Sequence, residues 1–381
     1  MTEPFGAYLH LPYCPYKCHY CDFNAYRLPR AEGARQEMAA AIAEEILRSP
    51  GEDLGRTITS IFFGGGTPSV FRPEEIGEIL QALRRRYGVA RGAEVTLECN
   101  PGTVDEGYLR ALRRLGVTRL SIGAQSFRAE TLARIGRLHT PAQTRQAVRA
   151  ARAAGFKNVS LDVIYGLPGE TPEDARASAL EAISLGVEHL SAYALELEEE
   201  TLFGRLARQG RLPLPPEEEV VRAGDLVAAA CEAAGLQRYE ISNFARSGRR
   251  ARHNMLYWHQ GSYRGFGPGA HSHLWGRRFW NAAPPGEYLR RVGAAGEAVA
   301  GEEVLSARAQ MGEWVYLRLR LQEGFTLQSF ARRFGLPLDA AYPGVRDSLR
   351  ATGLLDAVPG RVRPTPDGRW LLHRIAAPFL A

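Results

Sequence analysis

Six times between residues 7 and 195 a short apolar run gives way to a longer amphipathic one, and few architectures satisfy that rhythm. The apolar runs are Ala7-Tyr8-Leu9-His10-Leu11, Ser60-Ile61-Phe62-Phe63, Val95-Thr96-Leu97-Glu98, Arg119-Leu120-Ser121-Ile122, Val159 to Ile164 and His189 to Leu195. Each has the length and composition of a strand. Helices are expected from Ala34 to Arg48, Pro73 to Tyr87, near Asp105 to Leu115, in segments up to Ala154, and from Pro172 to Leu185. Strands separated by helices pair in parallel, with the helices covering the sheet. Six units fall short of a closed barrel. The expected fold is therefore α/β, an incomplete TIM-like (β/α)6 barrel over residues 1–215.

Beyond residue 195 the rhythm stops. Glu217 to Ala234 reads as a long helix and Tyr239 to Ser242 as an edge strand. Residues 249–285, rich in Gly, aromatics and His, read as a structured loop region, so 216–300 is expected to extend the barrel. Helical patterns cover Ala307 to Leu321, Thr326 to Phe334 and Tyr342 to Ala351. Strand-like pieces follow near Gly360 to Arg363 and Trp370 to His373, with Thr365-Pro366-Asp367-Gly368 as a turn. Residues 301–381 thus read as a mainly helical, winged-helix-like domain. It has no basic recognition face, so nucleic-acid binding is not expected.

Of five cysteines, three fall within eight residues, which is not a disulfide framework and points to a reducing compartment. No basic stretch with an apolar core precedes the first strand, and no apolar run is long enough to span a bilayer. A cytoplasmic protein is expected. The net charge of +6 suits an anionic ligand such as a carboxylated porphyrin, and weak nucleic-acid contact equally.

Cys14, Cys18 and Cys21, spaced CxxxCxxC, lie on the loop after the first strand, where parallel sheets keep their chemistry. Three thiolates on one loop can hold three irons of an iron–sulfur cube and leave the fourth open. Tyr13, Tyr16, Tyr20 and Phe23 interleave them. The competing reading is zinc, which needs four ligands, with His19 completing the set. Cys99 and Cys231 are isolated and read as buried small residues.

The CxxxCxxC spacing resembles the signature of the radical S-adenosylmethionine superfamily. That resemblance implies a 4Fe–4S cluster whose open iron is chelated by the amino and carboxylate groups of S-adenosyl-L-methionine. Gly64-Gly65-Gly66-Thr67-Pro68 resembles the motif that holds the methionine amino group in that family. The order of motifs resembles the anaerobic coproporphyrinogen III dehydrogenase (HemN-like) group over about residues 6–275. By that resemblance Tyr8, Gly65, Gly66, Thr67, Glu98, Gln125, Arg137, Asp162 and Ala194 contact S-adenosylmethionine.

Two departures separate the chain from that dehydrogenase. Its fourth cysteine, in CxxxCxxCxC, is Phe23 here, and its N-terminal extension is missing. His253-Asn254-Met255-Leu256-Tyr257-Trp258 instead resembles the HNxxYW pattern of the HemW-type heme chaperones. An imidazole can ligate heme iron and aromatics can stack on a porphyrin. The resemblance implies heme bound through His253 and delivered to acceptor hemoproteins, with His271 the next candidate and Arg249, Arg250, Arg252 and Arg264 available to propionates. Dehydrogenase turnover is then not expected. A homodimer stays open as the assembly.

Overall fold

The computed structural model describes residues 3–53 and 55–380. The barrel strands are β1 (Phe5–Leu11), β2 (Thr57–Gly65), β3 (Gly88–Cys99), β4 (Arg119–Gln125), β5 (Val159–Tyr165) and β6 (His189–Ala194). They pair in parallel in sequence order. Between them run α1 (Ala34–Arg48), α2 (Pro73–Arg86), α3 (Glu106–Leu115), α4 (Ala129–Arg134), α5 (Pro141–Ala153) and α6 (Pro172–Ser184). Local chemistry sets several of their starts. Thr140 and Thr171 each close a capping box, with Gln143 and Asp174, ahead of a proline at the first helical position.

The chain continues through α7 (Leu202–Arg208), α8 (Glu217–Ala233), β7 (Gln237–Arg238), β8 (Asn243–Ala245) and α9 (Arg252–Trp258). Then come β9 (Ser262–Phe266), β10 (His271–Leu274), β11 (Arg277–Asn281), α10 (Pro285–Ala295) and β12 (Val299–Val304). The sheet order is β12-β11-β10-β9-β1-β2-β3-β4-β5-β6-β8-β7.

Residues 249–285 are therefore not a loop region. They hold a helix and three strands, and β9 pairs in parallel with β1, Phe5 opposite Ser262, as a seventh parallel strand. The strands there are short and carry no apolar alternation, so periodicity could not reveal them. Tyr239 to Ser242 is not a strand either; Glu240 makes only an isolated bridge to Leu321. Apolar side chains from 217–299, among them Val227, Phe266 and Tyr288, belong to the same core as the barrel.

The C-terminal region builds its own core around Trp314, Phe330, Tyr342 and Phe379. Its two-stranded ladder joins Phe325–Thr326 to Arg361–Val362. Trp370 to His373 does not form the expected strand. Thr365 accepts the Gly368 N–H and Pro366 follows it, so the Thr-Pro-Asp-Gly segment starts a helix, Pro366–Trp370, instead of turning a hairpin. Leu372–Leu380 is helical too.

Candidate active site

The cysteine loop is tied down at both ends. Tyr26 N–H donates to the Pro12 carbonyl and Leu28 N–H to the Cys14 carbonyl, each at 2.8 Å. The glycine turn after β2 packs under the loop: Gly66 N–H donates to Leu11 and Thr67 N–H to Tyr13. A Cβ on Gly66 would lie 2.7 Å from the Tyr13 carbonyl oxygen, and one on Gly65 would strike the His10 ring. Gly65 also has φ +109°, which only glycine adopts readily. The turn needs glycine for packing as well as for ligand approach.

Cys14, Cys18 and Cys21 are free thiols lining one cavity with Gly66, Thr67, Glu98, Gln125, Arg137 and Asp162. Six of the nine residues expected around S-adenosylmethionine thus meet the three cysteines. Gln125 ends β4 with φ +63°, a left-handed conformation that a non-glycine residue rarely holds. Of the other three, Gly65 sits behind its neighbour in the turn. Tyr8 donates its hydroxyl to His10 Nδ1 at 3.0 Å, and Ala194 ends β6 opposite Tyr165, packed against the core.

Each polar group has a cause for its state. Arg137, buried, sends Nη1 to Cys18 Sγ at 3.6 Å and Nη2 to the Gly123 carbonyl, while its Nε finds no partner. Thr67 Oγ1 accepts from Asn100 Nδ2 at 3.0 Å and lies 3.2 Å from Cys14 Sγ. Burial, and then the neighbouring Asp162, push the Glu98 carboxyl up to about 8, against a Gly65 N–H that favours the anion. Burial raises Asp162 too, opposed by hydrogen bonds from Ser191 and Ser121. The site is a shell of thiols and two cations, Lys17 and Arg137, facing two carboxyls.

His19 faces away from the cavity: its Nδ1–H donates to the Arg134 carbonyl at 2.9 Å. Among the described residues no three Cys, His, Asp or Glu groups lie close enough to share one metal ion.

His253 is placed elsewhere. It is fully buried on α9, with Nδ1 3.0 Å from Ser60 Oγ and Nε2 2.9 Å from Tyr257 Oη. Its ring stacks on Phe62 at 5.4 Å. Burial lowers it to about 3, so it is neutral. Both of its ring nitrogens are engaged within the protein. The residue expected to ligate heme, His253, thus packs inside the protein against Ser60, Phe62 and Tyr257. Arg264 likewise lies in the interior, over the Phe279 ring at 4.5 Å, and not at a surface suited to propionates. His271 is exposed and stacks on Trp280 at 5.7 Å.

Residues 8–182 match the radical SAM superfamily and residues 305–371 the HemN C-terminal domain. The heme chaperone HemW of Bacillus subtilis is 34% identical over 98% of this chain and 99% of its own length. That of Mycobacterium tuberculosis is 37% identical over 99% and 95%, and that of Escherichia coli 33% over 99% and 98%. The chain belongs to the HemW family. A solved structure of coproporphyrinogen III oxidase (HemN) from Escherichia coli has the same fold, with a TM-score of 0.87 over 99% of this chain and 90% of that one at 22% identity.

Membership of this radical SAM family implies a 4Fe–4S cluster and S-adenosylmethionine, and the residues present fit both. Three free thiols, a buried guanidinium with an unpartnered nitrogen and a cradle that a Cβ would fill suit an anionic, thiolate-held group. Two buried carboxyls suit the ammonium and sulfonium charges of the second ligand. Asn100, Ser121 and Gly123 line the same cavity and were not anticipated. Their signal was available for Asn100, which directly follows Glu98-Cys99 at the rim end of β3. No helix of the described residues is long and apolar enough to cross a membrane.

Proposed function

We propose that this chain is a cytoplasmic heme chaperone that binds heme and passes it to acceptor hemoproteins. One observation carries the reading: near full-length similarity, at about a third identity, to proteins named heme chaperone HemW. In this reading Cys14, Cys18 and Cys21 hold the cluster. The Gly65-Gly66-Thr67 turn, Glu98, Gln125, Arg137, Asp162 and, at the rim's margin, Tyr8 and Ala194 hold S-adenosylmethionine. When bound, that pair supplies reductive C–S cleavage chemistry. The chain's own residues orient and screen it. Thr67 and Arg137 steady two of the thiolates, Glu98 and Asp162 face the cationic ligand, and neutral His10 wedges beneath Gly65. A nucleic-acid partner is not part of this reading; assembly as a homodimer is compatible with it.

The second reading, oxidative decarboxylation of coproporphyrinogen III, is favoured by the shared fold. It is opposed by Phe23. This residue lines the cavity and is 62% exposed, in place of the dehydrogenase's fourth cysteine. A phenyl ring supplies neither a sulfur ligand nor a transferable thiol hydrogen. The test is anaerobic. Titration with heme, then transfer to an apo-hemoprotein, is expected to succeed, and incubation with coproporphyrinogen III to give no product. Turnover without heme transfer would reverse the assignment.

A further inference from the structure

We infer that heme iron is ligated by Nε2 of His273, in the groove between α9, the β9–β10 hairpin and the C-terminal region. The inference rests on the heme-chaperone reading and names the ligand within it. The groove, about 460 Å³, lies on the barrel face opposite the cysteines, beside the first residues of β1. Its volume falls within the range of small-molecule sites.

His273 is 7% exposed. Its Nδ1 lies 3.1 Å from the Gly261 carbonyl oxygen, which can only accept. Nδ1 therefore carries the proton and Nε2 keeps a bare lone pair. Nε2 is buried and has no hydrogen-bond partner. Leaving such an atom unsatisfied is unfavourable unless a ligand takes its lone pair. An imidazole pinned by its N–H to a backbone carbonyl, with the opposite nitrogen free, is the arrangement of a metal-bound histidine.

The other buried histidines do not offer this on the groove. Both nitrogens of His10, His189 and His253 are engaged. His139 has a free Nδ1 but sits beside the Arg137 cation at the cluster rim.

The rest of the groove suits a planar, apolar dianion. Met255 and Leu256 line it, and Trp275, 52% exposed at the β10–β11 turn, stands at its edge. Arg250, Arg252 and Arg333 are its cations, and its one anion, Glu3, is paired with Arg56 at 3.7 Å. Arg252 bonds to the Gly92 carbonyl and Arg333 to Gln260 Oε1, both neutral, so these two charges are free for propionates. Arg250 pairs with exposed Glu323 at 3.3 Å, an exchangeable contact. His273 also lines a second cavity, but its arginine, Arg278, is already held by Glu303 and Glu313. The groove under Met255 is therefore the side that heme enters.

The test is titration of the full-length, cluster-reconstituted protein with ferric protoporphyrin IX, read by Soret absorbance and EPR. The parent is expected to show a histidine-ligated spectrum. In His273→Ala that signature is lost and affinity falls by at least the ~10–100-fold that loss of an outer-shell partner costs a metal site. Added imidazole restores the spectrum, which a merely structural histidine would not allow. If His273→Ala loses cluster absorbance and so misfolds, Arg252→Glu with Arg333→Glu decides. Affinity is then expected to fall about tenfold with iron ligation unchanged. Heme binding by the parent with His273→Ala indistinguishable, or no loss in the double arginine variant, overturns the site and leaves the chaperone reading standing. A parent that binds no heme overturns both.

Discussion

Arg137 reaches back across the chain to Cys18, with Nη1 3.6 Å from Sγ. The guanidinium is buried just beyond α4 and stands beside the Cys18 thiol. Its charge favours thiolate over thiol and the reduced over the oxidised cluster. Arg137→Leu is expected to retain about four irons per chain after anaerobic reconstitution and to lower the cluster's reduction potential by on the order of tens of millivolts. Cys14→Ala, Cys18→Ala or Cys21→Ala should each abolish the cluster. Iron analysis and EPR-monitored redox titration check both; an unchanged potential would remove Arg137 from the cluster's environment.

Gly66→Ala separates packing from ligand approach. The new methyl would lie 2.7 Å from the Tyr13 carbonyl, a backbone atom that cannot swing aside. The turn and the cysteine loop must part, at about 1–3 kcal/mol. S-adenosylmethionine binding, followed as a ligand-induced change in the cluster's EPR signal, is expected to fall together with thermal stability. Gly92→Ala, where a Cβ meets open space, is the control and should change neither.

The Glu98 carboxyl, raised to about 8 from an ordinary 4.5, makes the ligand-free protein pH-sensitive. Below about 4.5 folded and unfolded chains both hold the proton. Between there and about 8 the folded chain keeps a proton that the unfolded chain has released, so stability falls as pH rises through this window and is level above it. Glu98→Gln removes this term. Melting curves of ligand-free protein should show the variant gaining on the parent by a few degrees at pH 8 and not at pH 4. Parallel curves for the two proteins would contradict this. A cationic ligand needs the carboxylate, so S-adenosylmethionine affinity should rise with pH over the same range.

His253→Ala is expected to act on stability. It leaves the Ser60 and Tyr257 hydroxyls unpaired and opens a cavity beside Phe62, together about 2–4 kcal/mol. Denaturant titration measures the loss. Cluster content should be unchanged, because α9 lies at the opposite end of the barrel. Where the variant folds, its heme spectrum should match the parent's. A loss of iron ligation with stability intact would return the ligand role to His253.

Gly224 of α8 lies under Trp370, where a Cβ would come within 2.3 Å of the indole. Gly224→Val should force the C-terminal region off the barrel. Faster proteolysis within residues 305–380, with cluster absorbance retained, is the expected result. Resistance equal to the parent's would show that the indole is not the docking contact.

The barrel and its chemical rim were legible because they rest on local signals. Six apolar runs between amphipathic ones require a parallel sheet, and strand ends on one side of such a sheet collect Cys14, Thr67, Glu98, Gln125 and Asp162 whatever the packing details. CxxxCxxC and the glycine turn are short enough to be read without a partner. The seventh parallel strand was not legible. Ser262–Phe266 is five residues with a glycine, and becomes a strand only because β1 offers it an unpaired edge. The helix at Pro366 is a similar case, since the same four residues suit a turn or an N-cap and the neighbouring core selects the second.

Histidine chemistry was decided by tertiary structure almost entirely. The sequence determined that His253 sits among aromatics; it could not say that Ser60, far away on β2, would take one ring nitrogen and Tyr257 the other. Nor could it say that His273 would donate one nitrogen to Gly261 and keep the other bare. A side chain's type and neighbours along the chain are local facts. Which of its lone pairs stays free depends on groups brought to it from other elements, and only the folded chain sets those.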